Sequence, residues 1–284
     1  MKVFLRPNFQ RLGATEGTLQ VAEELKKLGI VPLLEADDWL SLGSPSGFET
    51  GPLQKMLTNC DMLLAVGGDG TVLHEAGLAM EADKPIFGVN AGRIGFLTQL
   101  ELSELSHLEQ LVKGEYVLSR RMLLEALIER NGKEYAYPAL NDIVLRREDT
   151  NHILDVSVFH RQGLILRQRA DGLIFATPTG STAYSLAAGG PVVSPDMEAV
   201  LLTPICPHNT FRCSLVLPAD QLYEAREDHR HEKSGFTVSV DGNIICESGE
   251  CNRVRVQKSG KSLLMVDLGL RDFYRNLNDK LITI

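Results

Sequence analysis

The sequence predicts an α/β plus β protein: an N-terminal parallel α/β domain, a β-rich, sandwich-like domain after it, and a C-terminal helix that returns to the first. Three observations carry this. Over the first hundred or so residues, short apolar runs alternate with segments of helical period, and that alternation builds a parallel sheet covered by helices. From about Tyr116 the period changes to two, with Asn131-Gly132 and Asp241-Gly242 as turn signals, as in antiparallel hairpins. The final segment, RDFYRNLNDKLITI, is helical again, with Phe273, Leu277 and Leu281 on one stripe. Residues 1–115 with 268–284 are assigned to the α/β domain and residues 116–267 to the β-rich domain.

Taken in order, Val3 to Leu5 is a short strand. In TLQVAEELKKLGI, Val21, Leu25 and Leu28 share a helical face and Gly29 supplies the stop. VPLLEA is the next strand, and the polar loop SLGSPSGFETG leads into PLQKMLTNC. Met62 to Val66 is an apolar run ending in GGDG, and from Thr71 a helix begins with Val72 and Ala76 on one face. IFGVN follows as a strand, and GRIGFL leads to a helix, SELSHLEQLVKG, with Leu105, Leu108 and Val112 on one side. In the second half Val156 and Val158, then Phe236, Val238 and Val240, then Val254 and Val256, alternate with polar neighbours.

The chain has 284 residues, of which 44% are hydrophobic and 23% charged, an ordinary soluble globular composition with ample material for a core. A net charge of −8 argues against nucleic acid and anionic membranes as partners. The N-terminus carries no apolar segment of signal-peptide length, and no apolar run is long enough to span a bilayer. Five cysteines, odd in number and without a CxxC pair, fit a reducing cytoplasm better than disulfides or a zinc site.

Three segments carry chemistry. In LLAVGGDGTVLHEAG the reading is strand, glycine loop, helix, on the carboxyl edge of a parallel sheet where ligands bind. Such a loop brings backbone N–H groups close to phosphate, and the helix N-terminus favours negative charge. Asp69, placed among those glycines, then suits metal binding or proton acceptance from an attacking hydroxyl. In ADGLIFATPTGSTAYSLAAGGPVVS an apolar strand ends in a hydroxyl-rich loop, with a helix expected from near Thr182 to the Gly189-Gly190-Pro191 stop. That helix N-terminus can face a diphosphate, and Tyr184 can stack on a planar base. Gly180-Ser181-Thr182-Ala183 lacks the GxSxG spacing of a hydrolase nucleophile. In PALNDIVLRRE an amide and a carboxylate, Asn141 and Asp142, precede a strand, where they suit a ribose or base edge or else simple turn chemistry. His208 reads as a structural histidine, the charged run EAREDHRHEKSG as a solvated surface segment, and Cys246 with Cys251 as inert thiols.

Together the three segments resemble the NAD kinase family. The likeness is close in GGDGT (67–71), in Asn141-Asp142 and in DGLIFATPTGSTAYSLAAGGP (171–191); it is weaker in NAGRIGFL, TPICPH and VSVDGN. GGDGT alone also resembles diacylglycerol, sphingosine and phosphofructokinase signatures, so a lipid or sugar kinase is the alternative; the TPTGSTAYS segment separates them. The resemblance implies transfer of the γ-phosphate of ATP to the 2′-hydroxyl of the adenosine ribose of NAD, giving NADP. It implies Asp69 as general base, and Gly67, Gly68, Gly70 and Thr71 as the ATP phosphate loop. It places Asp69, Gly70, His74, Asn141, Asp142, His152, Arg169, Asp171, Thr182, Ala183, Tyr184, Ser185, Leu186, Ala187 and Asn243 at the NAD site. Asn141 and Asp142 would hydrogen-bond the adenosine portion, Asp171 would hold the nicotinamide end, and Arg169 would lie near the phosphates or ribose. Relatives commonly carry glutamate where Asp142 stands, a basic residue where His74 stands and glutamine where Asn243 stands. A divalent metal, magnesium, is expected to arrive with ATP rather than in a protein-built site, with no tightly bound organic cofactor. A homo-oligomer, dimer or tetramer, in the cytoplasm is expected, with neither nucleic acid nor membrane as partner.

Overall fold

The computed structural model describes residues 1–92, 95–147, 153–228, 236–247 and 250–282. The chain divides into two compact units, Met1–Arg120 with Leu263–Ile284, and Arg121–Ser262.

The first unit is built from β1 (Lys2–Pro7), α1 (Ala14–Lys27), β2 (Val31–Glu35), α2 (Ala36–Ser41), β3 (Glu49–Gly51), α3 (Leu53–Asn59), β4 (Met62–Gly67), α4 (Asp69–Glu81), β5 (Ile86–Asn90), β6 (Leu100–Glu101) and α5 (Glu109–Lys113). Its strands run parallel in the order β3-β2-β1-β4-β5. The strands are apolar on both faces, as a sheet buried on two sides requires: every residue of β4 and β5 is buried. Chain order leaves β1 toward β2 on one side and toward β4 on the other, so the carboxyl ends of β1 and β4 form the topological switch point, where open parallel sheets open a crevice. Pro7 sits opposite Val66 there, and the Asn8 N–H continues the ladder to the Val66 carbonyl at 3.1 Å.

The segment expected to be one helix over SELSHLEQLVKG is instead a 3₁₀ helix over Leu102–Leu108 followed by α5. In a 3₁₀ helix positions three apart share a face. Leu105 and Leu108 therefore point inward, Leu111 in α5 is buried with them, and Val112, expected in that face, is exposed.

The second unit is two antiparallel sheets. Its elements are β7 (Val117–Arg130), β8 (Lys133–Ala139), β9 (Asp142–Arg147), β10 (Leu154–His160), β11 (Gly163–Ala170), β12 (Gly172–Ala176), α6 (Tyr184–Ala187), β13 (Ala199–Ile205), β14 (Leu215–Pro218), β15 (Tyr223–Glu227), β16 (Phe236–Val240), β17 (Asn243–Cys246) and the first part of β18 (Arg253–Asp267). One sheet has the order β11-β10-β15-β18, with the β7–β8 pair joined to β18; the other has the order β14-β13-β12-β9-β16-β17. Side chains of both meet in one core that includes Leu124, Ile143, Leu145, Val156, Phe175 and Phe236, the arrangement that period-two patterning predicts. Both hairpin signals hold: Asn131-Gly132 and Asp241-Gly242 each take two successive positive φ angles, 52° and 73°, then 48° and 84°, as a type I′ turn demands. The last part of β18 lies in the first unit, where Met265 pairs in parallel with Ile86. It leads to α7 (Phe273–Leu277) and a π-helical turn over Asn278–Ile282. The expected C-terminal helix is therefore present as an α-to-π segment of the first unit, and Phe273 packs against Phe96 with ring centroids 6.4 Å apart.

Candidate active site

In the first unit the GGDG loop closes β4 and opens α4. The helix starts at Asp69, two residues before the expected Thr71. Thr71 explains the early start: its hydroxyl accepts the Gly68 N–H at 3.2 Å and an Asn8 Nδ2 hydrogen at 3.2 Å, and its N–H reaches the Gly68 carbonyl at 2.9 Å. A Cβ on Gly67 would lie 2.2 Å from the Thr71 hydroxyl oxygen, so only glycine fits that turn. Gly70 faces open space. The first turn of this 13-residue helix is thus open to an anion.

The Asp69 side chain does not swing freely. Its Oδ2 accepts the Phe96 N–H at 2.6 Å and its Oδ1 accepts the Leu97 N–H at 3.0 Å. A carboxylate has about four lone-pair sites, so two such bonds fix its direction and leave capacity for a further proton. The segment that supplies them is itself braced. Buried Asn90 accepts the Gly92 N–H at 2.7 Å and donates to the Thr98 hydroxyl at 3.2 Å, which also accepts the Gly95 N–H at 2.9 Å. Lys280 stands over the Phe96 ring at 4.5 Å. Burial lowers its pKa, while the Asp69 charge works in the opposite direction. His74, one turn further along α4, is 80% exposed at its side chain, with Nε2 4.0 Å from Glu75. Glu75 itself is buried and held by Arg6 at 2.6 Å.

In the second unit a different carboxylate organises a separate cluster. Asp241, in the β16–β17 turn, accepts three consecutive backbone N–H groups: Leu140 at 2.7 Å, Asn141 at 2.8 Å and Asp142 at 3.0 Å. The TPTGST loop lies on the same stretch. Thr177 donates its N–H to the Asn141 carbonyl at 2.9 Å and its hydroxyl to the Leu140 carbonyl at 2.6 Å, and a Cβ on Gly180 would fall 2.1 Å from the Asn141 carbonyl oxygen. The Asn-Asp pair and the hydroxyl-rich loop, separate in sequence, are thus one structure. The Asn141 side-chain oxygen is buried without a hydrogen-bond partner among the described residues, an acceptor that calls for an external donor. Asp142 is 6% exposed, and burial, with the neighbouring Asp241 charge second, raises its pKa to about 7.

The helix expected from Thr182 to Gly189 is shorter. The segment is a 3₁₀ turn over Thr179–Thr182, an irregular Ala183, and the four residues of α6. The hydroxyls are the cause, because they bond backbone in place of a helical ladder. Buried Ser181 accepts the Val193 N–H at 3.0 Å and donates to its carbonyl at 3.1 Å, and Thr182 donates to the Thr179 carbonyl at 3.3 Å. A single helical turn supplies no macrodipole of consequence, so the expected diphosphate-facing helix is replaced by loop N–H groups and hydroxyls. Ser181, locked at both ends, is no nucleophile. Ser185 is buried against the Thr203 hydroxyl at 2.9 Å, whereas Tyr184 and Ala187 are exposed and Thr182, Ala183 and Leu186 are half-buried. Asp171 pairs with Arg147 at 3.0 Å and Arg169 with Asp155 at 3.1 Å. Asn243 is exposed beside the Asp241-Gly242 turn. His152 lies outside the described residues.

Sequence reasoning missed Asp241, read only as a turn residue, and Gly95, whose absent side chain makes room for Asp69. Asp-Gly after a strand was the visible signal for the first; nothing local marks the second. No described helix is long and apolar enough to cross a membrane.

Family profiles match both parts of the chain: the ATP-NAD kinase N-terminal domain over residues 15–116 and the ATP-NAD kinase C-terminal domain over residues 140–268. The chain is 39% identical over 257 residues to the NAD kinase of Heliobacterium modesticaldum, covering 88% of this chain and 87% of that one. It is 34% identical over 284 residues to the NAD kinase of Caldanaerobacter subterraneus, covering 99% and 98%. Among solved structures, yeast NADH kinase complexed with NADH superposes with a TM-score of 0.88 at 25% identity, covering 99% of this chain and 87% of that one. An NAD kinase from Archaeoglobus fulgidus in complex with ATP gives 0.73 at 25% identity, covering 100% and 98%. With both domain profiles matched and full-length relatives above 30% identity, the chain belongs to the NAD kinase family of phosphotransferases.

Proposed function

We propose that this chain transfers the γ-phosphoryl group of ATP, entering as its magnesium complex, to the 2′-hydroxyl of the adenosine ribose of NAD. The observation that carries the reading is the Asp69 carboxylate, the first residue after the paired glycines, held in place by the Phe96 and Leu97 N–H groups. Asp69 takes the hydroxyl proton as the 2′-oxygen forms its bond to the γ-phosphorus. The bond from that phosphorus to the bridging oxygen breaks, and its electron pair leaves on ADP. A ribose hydroxyl is a weak nucleophile at neutral pH, so a fixed acceptor beside it lowers the barrier.

The buried, unpartnered Asn141 oxygen supports a donor from the adenosine portion at that place, and Asp142 supports a second contact. Tyr184, 37% exposed, is free to stack on a base. Asp171 and Arg169, already in ion pairs, can turn one face each toward the distal half of the dinucleotide. A homo-oligomer in a reducing cytoplasm is part of this reading; five cysteines, odd in number and without a CxxC pair, fit that compartment.

The test is to incubate the protein with NAD, ATP and magnesium and measure NADP with an NADP-specific dehydrogenase. NADP formation is expected. No NADP, with phosphate transferred instead to a lipid or sugar, would replace the reading with that of a lipid or sugar kinase.

A further inference from the structure

We infer that Arg11 is a phosphate-binding residue for the donor's terminal phosphates, a role that rests on the function proposed above. Arg11 lies in the loop between β1 and α1, at the switch point of the parallel sheet. That loop is tied to the GGDG turn: Asn8 bonds the Val66 carbonyl through its N–H and Thr71 through its side chain, and the Arg11 N–H bonds the Asn8 carbonyl at 2.9 Å. The guanidinium lies across two glycines. A Cβ on Gly68 would fall 1.8 Å from Nη1, and a Cβ on Gly92 would fall 2.8 Å from Nη2. The absence of those two side chains makes the slot in which this cation lies.

The cation has no anion. Among the described residues, Arg11 makes no side-chain hydrogen bond and no ion pair, although the nearby Arg6 has Glu75, Glu35 and Asp38 around it. Exposed arginines need no partner, but Arg11 is half-buried against backbone. Beside it are the first turn of α4 and the loop N–H groups, and Lys280 interacts with Asp69. Asp69 is the one carboxylate of that first turn, and its two oxygens are already bonded to the Phe96 and Leu97 N–H groups, so Arg11 is left with its charge open to an added anion. A planar five-donor fork suits paired phosphoryl oxygens better than a point charge does. Charge builds on the β-phosphate as the bond to the leaving ADP breaks, so a contact there is stronger in the transition state than in the ground state.

The test uses the full chain and three forms: wild type, Arg11→Gln and Arg11→Lys. Since the side chain bonds nothing else, Arg11→Gln is expected to fold with an unchanged Tm and an unchanged Kd for NAD. Its kcat/KM for ATP is expected to fall by about 100-fold or more, the cost of losing one preorganised donor to a developing anion, with Arg11→Lys recovering part of it. Binding of inorganic tripolyphosphate, read by calorimetry, should weaken about 10- to 100-fold in Arg11→Gln. Wild-type kinetics for ATP in Arg11→Gln, or an equal loss of NAD and ATP affinity, would overturn the inference, the second by making Arg11 a brace of the loop. If wild type makes no NADP, the proposed function fails by itself, and the tripolyphosphate comparison still decides whether Arg11 binds phosphate.

Discussion

Replacing Gly95 with alanine tests how Asp69 is held. The backbone at Gly95 has no positive φ, so alanine is conformationally allowed and the effect is purely steric. The new methyl would lie 1.6 Å from Oδ1, 2.0 Å from Cγ and 2.2 Å from Oδ2 of Asp69. Reaching an ordinary contact of about 3.4 Å requires the methyl and Oδ1 to separate by roughly 1.8 Å. A carboxylate displaced that far loses both the Phe96 and the Leu97 N–H. Misplacement by about 1 Å costs roughly 10²-fold in rate, and a general base contributes about 10²- to 10⁴-fold. Gly95→Ala should therefore lower kcat by about 10²-fold or more, while NAD affinity, to which the proposed contacts at Asn141 and Asp142 also contribute, should fall much less. The assay is steady-state NADP formation at saturating substrates, beside a thermal melt. Combining Gly95→Ala with Asp69→Ala removes the clash, so the second substitution should restore much of the Tm lost by the first. Wild-type kcat in Gly95→Ala would refute the account of how Asp69 is aimed.

Other expectations follow from the second unit. Asp142 has a folded-state value near 7 against an ordinary 3.8. It therefore costs no stability below about pH 3.8, an increasing amount up to about pH 7, and a constant amount above. The Tm of Asp142→Asn minus that of wild type should rise across that window and level off beyond it; a flat difference from pH 4 to 8 would contradict the burial argument. Asp241→Ala leaves three adjacent N–H groups without their acceptor, so it should weaken NAD binding by about 10- to 100-fold and leave KM for ATP nearly unchanged; equal losses in both would deny Asp241 its local role. Ser181→Ala should cost about 1–3 kcal/mol in a denaturant melt and little in kcat, because the hydroxyl serves only Val193; abolished turnover in a folded variant would return Ser181 to the chemistry.

The parts of this protein that were legible in the sequence are those in which neighbours in the chain are neighbours in space. Strand, glycine loop and helix around GGDG are local, as are the two Asn-Gly and Asp-Gly hairpins, whose left-handed residues announce themselves. The supports of the candidate site are not local. Phe96 and Leu97 reach Asp69 across 27 and 28 residues, and Asp241 reaches the Asn141-Asp142 stretch across about 100. No periodicity records such a pairing. The two helices that came out short did so because of competing chemistry. In 179–187 side-chain hydroxyls and Gly180 draw backbone groups out of an α ladder, and in 102–113 a three-residue repeat of leucines was legible only once the 3₁₀ segment was known.

In the proposed reaction one carboxylate, Asp69, accepts the ribose proton. The most direct measurement is the turnover of Asp69→Asn at saturating NAD and ATP, alongside its Kd for NAD. Asparagine keeps the shape and one acceptor oxygen but cannot take the proton, so NAD binding should persist while kcat falls by about 10²- to 10⁴-fold. Turnover near that of wild type, with both substrates saturating, would contradict the claim.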